Sequence, residues 1–288
     1  MQGMSIKRIG VVGSGIMGSG ITECAAVNGF EVVLRSRSQA SADGTLAGME
    51  KSLTKQLDKG RITAEERDAA ISRVIATSDL GELAGCDLVI ESVVEDLGVK
   101  KHLFSELDRI CGDYTILATN TSTLPIVEMA METGRPDKVC GIHFFNPAPM
   151  MALVEVVRPI TASDETVSAA LAFAESCGKT SVEVQDRAGF IVNALLFPYL
   201  NNAVRLLEQN VASKESIDTA MRGGCGFPMG PFALLDLVGI DTSVAILDAL
   251  YAEFRDPGAA AMPLLRRMVS AELLGRKTGR GFYEYSRK

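Results

Sequence analysis

The chain has 288 residues, of which 47% are hydrophobic and 23% charged, and its formal net charge is −7 at pH 7. This length allows one large domain or two of moderate size. The acidic balance argues against nucleic acid as the main partner.

Targeting and metal signals are missing from the sequence. The first residues do not form a charged-then-apolar leader, and no apolar run is long enough to span a membrane. We therefore predict a cytoplasmic protein with no membrane partner. Six scattered cysteines, without a CxxC pair, and two histidines predict no metal site. Free buried thiols in a reducing compartment are expected instead.

The first predicted elements are a strand, RIGVVG, and a helix from Ile16 to Asn28. Three glycines between them have the spacing GxGxxG, in the strand–turn–helix context that the motif requires. They allow a tight turn and close approach of a pyrophosphate, which the N–H groups at the helix start can bind. The predicted cofactor-binding residues here are Gly13, Ser14, Gly15, Ile16, Met17 and Gly18. The alternative is a glycine-rich turn that binds nothing.

The second predicted strand, EVVLR, ends where an NAD-binding fold usually places an acidic residue for the ribose hydroxyls. This chain has Arg35, Ser36 and Arg37 there. A serine can hydrogen-bond a phosphate oxygen, and either arginine can neutralise the additional charge of a 2′-phosphate. We predict that the cofactor is NADP(H) rather than NAD(H). The alternative is that both arginines are solvated and NAD binds through its pyrophosphate.

A long helical pattern follows from Ser38 to Arg73 and divides into two helices, the second starting at Thr63. Lys51, Lys55 and Lys59 are four residues apart, so they lie along one helix face. Such a row on an otherwise acidic protein suits a ligand that carries several phosphate groups. The alternative is an ordinary solvated face.

Further strands are predicted at DLVIES, TILATN, VCGIHFF, LVEVV and TSVEVQD. Helices are predicted between the first three of these strands. His143 lies at a strand end, which in open α/β sheets faces the cofactor crevice. Glu155 lies inside an apolar run and needs a partner if it faces inward. His143 is the natural candidate, since a carboxylate fixes its tautomer and favours its charged form. Alone, His143 would be a core histidine, and Glu155 a residue on the polar face of an edge strand.

The pattern changes near Asp186 to Gly189 and is helical from there to the tail. A long apolar helix is expected to be kinked or interrupted at Pro198. The predicted fold is an α/β, Rossmann-type dinucleotide-binding domain at residues 1–187, followed by an all-α domain at 188–288. The helical domain has apolar residues on too many faces for a lone small bundle, which predicts a homodimer through this domain.

Several ordered motifs resemble those of the L-3-hydroxyacyl-CoA dehydrogenase family, above all its bacterial members that act on 3-hydroxybutyryl-CoA. The similarity covers essentially the whole chain. The motifs are GSGIMGSGI, DLVIESVVED, ATNTSTLPI, GIHFFNPAPMMALVEVV, GFIVNALLFPYLNNA, PMGPFALLDLVGID and LLGRKTGRGFYEY. The resemblance implies an enzyme that interconverts (S)-3-hydroxybutyryl-CoA and acetoacetyl-CoA with a nicotinamide cofactor. It also implies a helical dimerisation domain and an acyl-CoA thioester bound between the domains.

Roles follow from the resemblance residue by residue. His143 matches the catalytic base, Glu155 its orienting acid, Ser122 the hydroxyl on the substrate 3-oxygen, and Asn193 an amide near the reacting end. Nicotinamide-side contacts match Glu95, Lys100, Ser122, Asn146 and Lys277. Coenzyme A contacts match Ser52 and Lys59, and Lys55 belongs to the same row. Ser36 departs from the family's ribose-binding acid, and Ala188 stands where proline is frequent.

Two other functions compete with this prediction. A dehydrogenase of free 3-hydroxy acids more typically uses a catalytic lysine in the first helix of the helical domain, whereas this segment has Asn193 and no nearby lysine. A second alternative is a non-catalytic NADP-binding sensor. It would not need the full set of His143, Glu155, Ser122 and Asn193.

Overall fold

The computed structural model describes residues 6–285. Residues 1–5, where the leader prediction begins, and residues 286–288, at the end of the predicted helical domain, lie outside this range. The chain divides into two compact units, with the division between Asp186 and Arg187. The first unit alternates strands with helices and the second is helical, which confirms the predicted fold class.

The first unit contains eight strands and six α-helices among its described residues. The strands are β1 (Arg8–Val12), β2 (Glu31–Arg35), β3 (Val74–Thr77), β4 (Leu88–Glu91), β5 (Ile116–Thr119), β6 (Val139–Phe144), β7 (Leu153–Arg158) and β8 (Thr180–Gln185). The helices are α1 (Ile16–Val27), α2 (Gln39–Asp58), α3 (Ala64–Ser72), α4 (Leu97–Ile110), α5 (Ile126–Ala130) and α6 (Asp164–Ser176).

The eight strands form one sheet in the order β3-β2-β1-β4-β5-β6-β7-β8. Strands β1 to β6 are parallel, and the strand order reverses between β1 and β4, where such sheets bind ligands beyond the strand ends. The direction reverses at β7, which pairs with β6 antiparallel, and β8 is parallel to β7.

Burial explains why the central strands form. Strand β4 has four buried residues, β5 four and β6 six, as expected for strands covered by helices on both faces. The core beneath the helices is aliphatic, with Phe30 packed edge-on against Phe173 at 5.1 Å between ring centroids. The predicted start of α3 is confirmed, because Thr63 and Glu66 form a capping box.

Two elements of the first unit were not predicted. Strand β3 has only four residues, and one of them, Ile75, is half exposed, so its pattern is too short and too weak to stand out. Helix α6 begins at a Ser163 cap and connects β7 to β8, which have the same direction and need such a crossover.

The second unit contains α7 (Val192–Glu208), α8 (Lys214–Cys225), α9 (Pro231–Val238), α10 (Ile240–Phe254) and α11 (Pro263–Ser270). Helix α7 continues through Pro198, so the predicted interruption is wrong. The last segment is fastened to α9, where the buried Asp236 carboxylate accepts hydrogen bonds from the backbone N–H groups of Phe282 and Tyr283 at 2.8 Å each. No helix formed by residues 6–285 is both long and apolar enough to cross a membrane.

Candidate active site

The glycine loop between β1 and α1 has a backbone that requires glycine. Gly13 has φ +120°, and a Cβ there would overlap the carbonyl oxygen of Ser92. A Cβ on Gly18 would overlap the carbonyl oxygen of Gly13. Helix α1 then begins after Gly15 with no side chain capping its N–H groups. This loop fits a pyrophosphate, since close backbone approach and open helical N–H groups are what such an anion needs.

A cleft of about 560 Å³ adjoins this loop in the first unit. Its walls come from the loop, the start of α1 and one face of α2. The lining residues are Ser14, Gly15, Ile16, Ser19, Ser41, Gly44, Thr45 and Gly48. Four of these residues carry hydroxyl groups, so the cleft can hydrogen-bond a polar ligand, and none carries a carboxylate that would repel a phosphate.

The end of β2 directs Ser36 at the glycine loop. Ser36 is buried, and its Oγ shares a hydrogen bond of 2.6 Å with Ser14 Oγ. Arg35 Nε donates to the carbonyl oxygen of Ser78 at 3.3 Å, so one donor of this guanidinium is used within the protein. Arg37 is exposed. The position where an acidic residue was expected therefore presents a hydroxyl to the loop.

The pair formed by His143 and Glu155 is buried at the neighbouring strands β6 and β7. The two residues are direct partners in the antiparallel register, so both side chains lie on one face of the sheet. His143 Nδ1 lies 2.8 Å from Glu155 Oε2, and the Glu155 side chain is 0% exposed. A carboxylate at Nδ1 makes this nitrogen the N–H donor, which leaves the proton-accepting lone pair of a neutral ring on Nε2.

Ser122 follows β5 and is connected to a buried ion pair. Glu95 accepts hydrogen bonds from the Thr121 hydroxyl and from Ser122 N, the latter at 3.2 Å. Lys100 Nζ lies 3.3 Å from Glu95 Oε2 and 2.6 Å from Glu91 Oε1. The predicted residues Glu95, Lys100 and Ser122 are thus joined in one network.

The sequence reasoning missed Glu91, the last residue of β4. Its side chain is 0% exposed and accepts from Lys100 at 2.6 and 2.8 Å, from Thr119 Oγ1 at 2.7 Å and from Val93 N at 2.5 Å. The signal was present in DLVIES, since an acid inside an apolar run needs a partner, as was argued for Glu155.

Asn146 is exposed in the loop that follows β6. The entry to this loop is fixed by Asn120, whose Oδ1 accepts from Phe144 N at 2.8 Å. The His143 ring contacts Phe145, with 4.5 Å between ring centroids. These contacts hold the segment between the histidine and Asn146.

The predicted coenzyme A residues lie on α2. Lys51 and Lys55 are exposed one turn apart, and Lys59 is exposed at the helix C-cap. Ser52 is half-buried near them. The row is therefore solvent-accessible and points its ammonium groups away from the core.

The remaining predicted residues belong to the second unit. Asn193 is 8% exposed in the first turn of α7. Lys277 lies in a short 3₁₀ turn and forms an ion pair with Asp241. Among the described residues, no group of three or more histidine, cysteine, aspartate or glutamate side chains could hold a metal ion.

A dinucleotide loop and a buried histidine–carboxylate pair on the same sheet define a nicotinamide-dependent dehydrogenase. Two family models match the chain: the NAD binding domain of 3-hydroxyacyl-CoA dehydrogenase over residues 8–187, and the C-terminal domain of the same enzyme over residues 189–285. The chain belongs to the 3-hydroxyacyl-CoA dehydrogenase family.

Individual relatives agree with this assignment. The 3-hydroxybutyryl-CoA dehydrogenase of Clostridioides difficile is 47% identical over 280 residues, which cover 97% of this chain and 100% of that one. The mitochondrial hydroxyacyl-coenzyme A dehydrogenase of Sus scrofa is 42% identical over 97% of this chain and 91% of its own. The crystal structure of (S)-3-hydroxybutyryl-CoA dehydrogenase from Ralstonia eutropha superposes with a TM-score of 0.96 at 40% identity, covering 98% and 100% of the two chains.

Proposed function

We propose that the protein interconverts (S)-3-hydroxybutyryl-CoA and acetoacetyl-CoA. The observation that carries this proposal is the 2.8 Å contact between His143 Nδ1 and Glu155 Oε2, near the carboxyl end of β6. This is the edge of the sheet at which the glycine loop follows β1. The names of relatives that match nearly the full chain support the thioester substrate.

The proposed mechanism places the proton transfer on His143. In oxidation, Nε2 takes the proton of the 3-hydroxyl group, and the imidazolium that forms is stabilised by the Glu155 carboxylate at Nδ1. In reduction, the protonated ring donates to the developing 3-alkoxide. The nicotinamide, when bound, supplies the hydride acceptor or donor.

Ser122 and Asn193 are proposed to position the substrate. The Ser122 hydroxyl donates to the 3-oxygen, where negative charge develops during reduction. Its backbone N–H is held by Glu95, so the hydroxyl is presented from a fixed main chain. Asn193 contributes an amide from the first turn of α7 near the reacting end of the acyl group. No lysine lies in α7, which disfavours an enzyme for free 3-hydroxy acids.

We propose NADP(H) as the preferred cofactor. Ser36 presents a hydroxyl where a carboxylate would repel a 2′-phosphate, and Arg37 is exposed beside it. Glu95, Lys100, Asn146 and Lys277 are the proposed contacts on the nicotinamide side. Each hydrogen bond to the charged phosphate contributes about 1.5–3 kcal/mol, or about 10- to 100-fold in affinity.

Coenzyme A is proposed to bind along α2. Ser52, Lys55 and Lys59 would hold its phosphates by charge and hydrogen bonds from the exposed face. Changing Lys59 to Glu would then raise the Michaelis constant for the thioester more than that for the cofactor.

The test of this function is the initial rate of acetoacetyl-CoA reduction with NADPH and with NADH. A higher kcat/KM with NADPH supports the whole proposal. A higher value with NADH keeps the dehydrogenase and refutes the cofactor preference. No rate with either cofactor refutes the dehydrogenase and favours a sensor that binds without turnover.

A further inference from the structure

Lys179, between α6 and β8, uses its side chain on the main chain of one loop. Its Nζ lies 2.8 Å from the carbonyl oxygen of Ala148, 3.2 Å from that of Pro149 and 2.9 Å from that of Met151. A lysine ammonium has three N–H donors. All three are therefore directed at carbonyl groups within four consecutive residues.

This loop connects the two catalytic strands. It leaves β6 after His143, carries Asn146, and returns to β7 before Glu155. A turn at its centre is closed by bonds from the N–H groups of Met150 and Met151 to the Pro147 carbonyl oxygen, at 3.0 and 3.1 Å. Both of these bonds end on the Pro147 carbonyl group. The three carbonyl groups that Lys179 binds are therefore not the one that closes the turn.

The lysine is held on a rigid base. Its backbone N–H donates to the Ala174 carbonyl oxygen at the end of α6, at 3.1 Å. The next residue, Thr180, donates its N–H to the Ala152 carbonyl oxygen at 2.7 Å, where β8 begins to follow β7. The ammonium therefore reaches the loop from a segment whose main chain is fixed on both sides.

The loop also packs on α1, the helix that starts at the dinucleotide loop. A Cβ on Gly20 of α1 would lie 3.1 Å from Ala148 Cβ and 3.2 Å from Pro149 Cδ. Little space remains between loop and helix, so both α1 and Lys179 restrict the loop. A shift of this loop changes the distance between the phosphate-binding helix and the end of β6.

We infer that Lys179 is a positioning residue for the dehydrogenase reaction, which fixes the loop through three carbonyl groups and thereby places Asn146 and the His143 end of β6 against the cofactor. This inference rests on the proposed function. Lys179 contacts no reacting atom in this role and acts through the main chain of the loop.

The experiment compares Lys179→Met with Lys138→Met in the full-length protein. Lys138 Nζ also donates to a carbonyl oxygen, that of Asp113 at 2.7 Å, so the control loses the same kind of bond elsewhere in the sheet domain. Two readouts are taken for each variant: amide hydrogen exchange of residues 147–152, and the steady-state constants for acetoacetyl-CoA reduction.

For Lys179→Met we expect faster exchange in 147–152 and a fall in kcat of about 10- to 100-fold, since a misplacement of about 1 Å can cost about 100-fold. The KM for the thioester should stay at the wild-type value, because the proposed coenzyme A contacts lie on α2. Lys138→Met should match the wild type in both readouts.

Unchanged exchange in Lys179→Met would overturn the tether, and faster exchange with an unchanged kcat would overturn the positioning role. A fall in kcat accompanied by a lower melting temperature and an altered thioester KM would indicate general unfolding. That result would also refute the positioning role. A wild-type protein without turnover refutes the proposed function together with the catalytic part of this inference. A Lys179→Met variant with the wild-type kcat refutes the inference alone.

Discussion

At the scale of single residues, the proposed mechanism depends on one contact between two strands. His143 and Glu155 are 12 residues apart in sequence and face each other in the antiparallel register. Neither residue is informative by itself, because buried histidines and carboxylates are common partners in cores. Their position at the sheet edge that also carries the glycine loop supports the proposed role in redox chemistry.

The His143→Gln variant should bind cofactor normally and lose turnover. Glutamine keeps a polar side chain of similar reach but cannot exchange the proton, which is expected to cost about 10²- to 10⁴-fold in kcat. Cofactor binding is measured by nucleotide fluorescence and turnover by absorbance. His102→Gln is the matched control, since His102 is the only other histidine and its side chain is 75% exposed on α4. Turnover retained in His143→Gln would refute the assignment.

The Ser36→Asp variant should move the cofactor preference from NADPH to NADH. A carboxylate at this buried position accepts hydrogen bonds from the ribose hydroxyl groups and repels a 2′-phosphate. We expect kcat/KM with NADPH to fall by about 10- to 100-fold, as for the loss of a charged hydrogen bond.

Ser72→Asp is the control for net charge, because it adds the same charge at the exposed C-terminal end of α3. Ser72 precedes β3, whereas Ser36 follows β2, so the two residues lie at opposite ends of these parallel strands. Equal effects of the two substitutions on both cofactors would show that Ser36 does not discriminate between NADPH and NADH.

At the scale of secondary-structure elements, a buried ion pair connects β4 with α4, and a hydrogen bond connects β4 with β5. Glu91 at the end of β4 accepts from Lys100 of α4 and from Thr119 of β5, and all three side chains are buried. A buried ion pair is costly to break from one side, because the remaining charge loses its partner. This pair therefore fixes α4 onto the strand ends that carry the proposed nicotinamide contacts.

The Lys100→Met variant should be less stable by about 3–5 kcal/mol, since it leaves the Glu91 carboxylate buried without its cation. The double variant Glu91→Gln, Lys100→Met removes both charges and should recover most of this loss. Urea unfolding of the two variants and the wild type measures the difference. A single variant as stable as the double one would contradict the role of charge at this site.

The sequence predicted the positions of most strands and helices, but not the relative directions of paired strands. Strand β7 was recognised from LVEVV, but an apolar run is the same in either direction, so the reversal at β6 was not visible. Strand β3 was missed because four residues at a sheet edge give too short a pattern.

The site shows the same division. The glycine loop could be placed because its spacing has a strict backbone reason, which Gly13 and Gly18 satisfy. Lys179 could not be found, because its partners are carbonyl groups that every residue carries. Glu91 could have been found by the test applied to Glu155, since both are acids within apolar strands.

At the scale of the whole molecule, we propose that two copies of the chain associate through the helical unit. Several large apolar side chains of this unit are exposed: Leu195 at 71%, Val211 at 63%, Leu237 at 48% and Phe254 at 42%. Sedimentation equilibrium should therefore give twice the chain mass of 30.7 kDa. The single-chain mass at micromolar concentration would refute the dimer.

The thiols should differ sharply in reactivity. Five of the six are buried, namely Cys24, Cys86, Cys111, Cys140 and Cys177, and Cys225 is exposed. Burial raises the pKa of Cys86 and Cys140 to about 12 and that of Cys111 to about 11, so these groups stay protonated and unreactive at pH 8.

The hydrogen bond to Cys177 lowers the pKa of Cys24, so burial alone protects this thiol. Because five thiols are buried, a disulfide reagent should label one thiol per native chain rapidly, and all six after denaturation. Cys225→Ser should abolish the fast phase, whereas Cys140→Ser should leave it unchanged. A fast phase that persists in Cys225→Ser would show that a buried thiol is accessible.

The pairing of β6 with β7 also limits how this enzyme can change by insertion or deletion. Successive residues of a strand point to opposite faces, so one residue added inside β7 before Glu155 would turn its carboxylate away from His143. A residue added between the strands would leave the pairing intact. Length variation in descendants of this chain should therefore be absent from the six residues of each strand. It should also be rare in the connection from 145 to 152, where Lys179 binds three carbonyl groups.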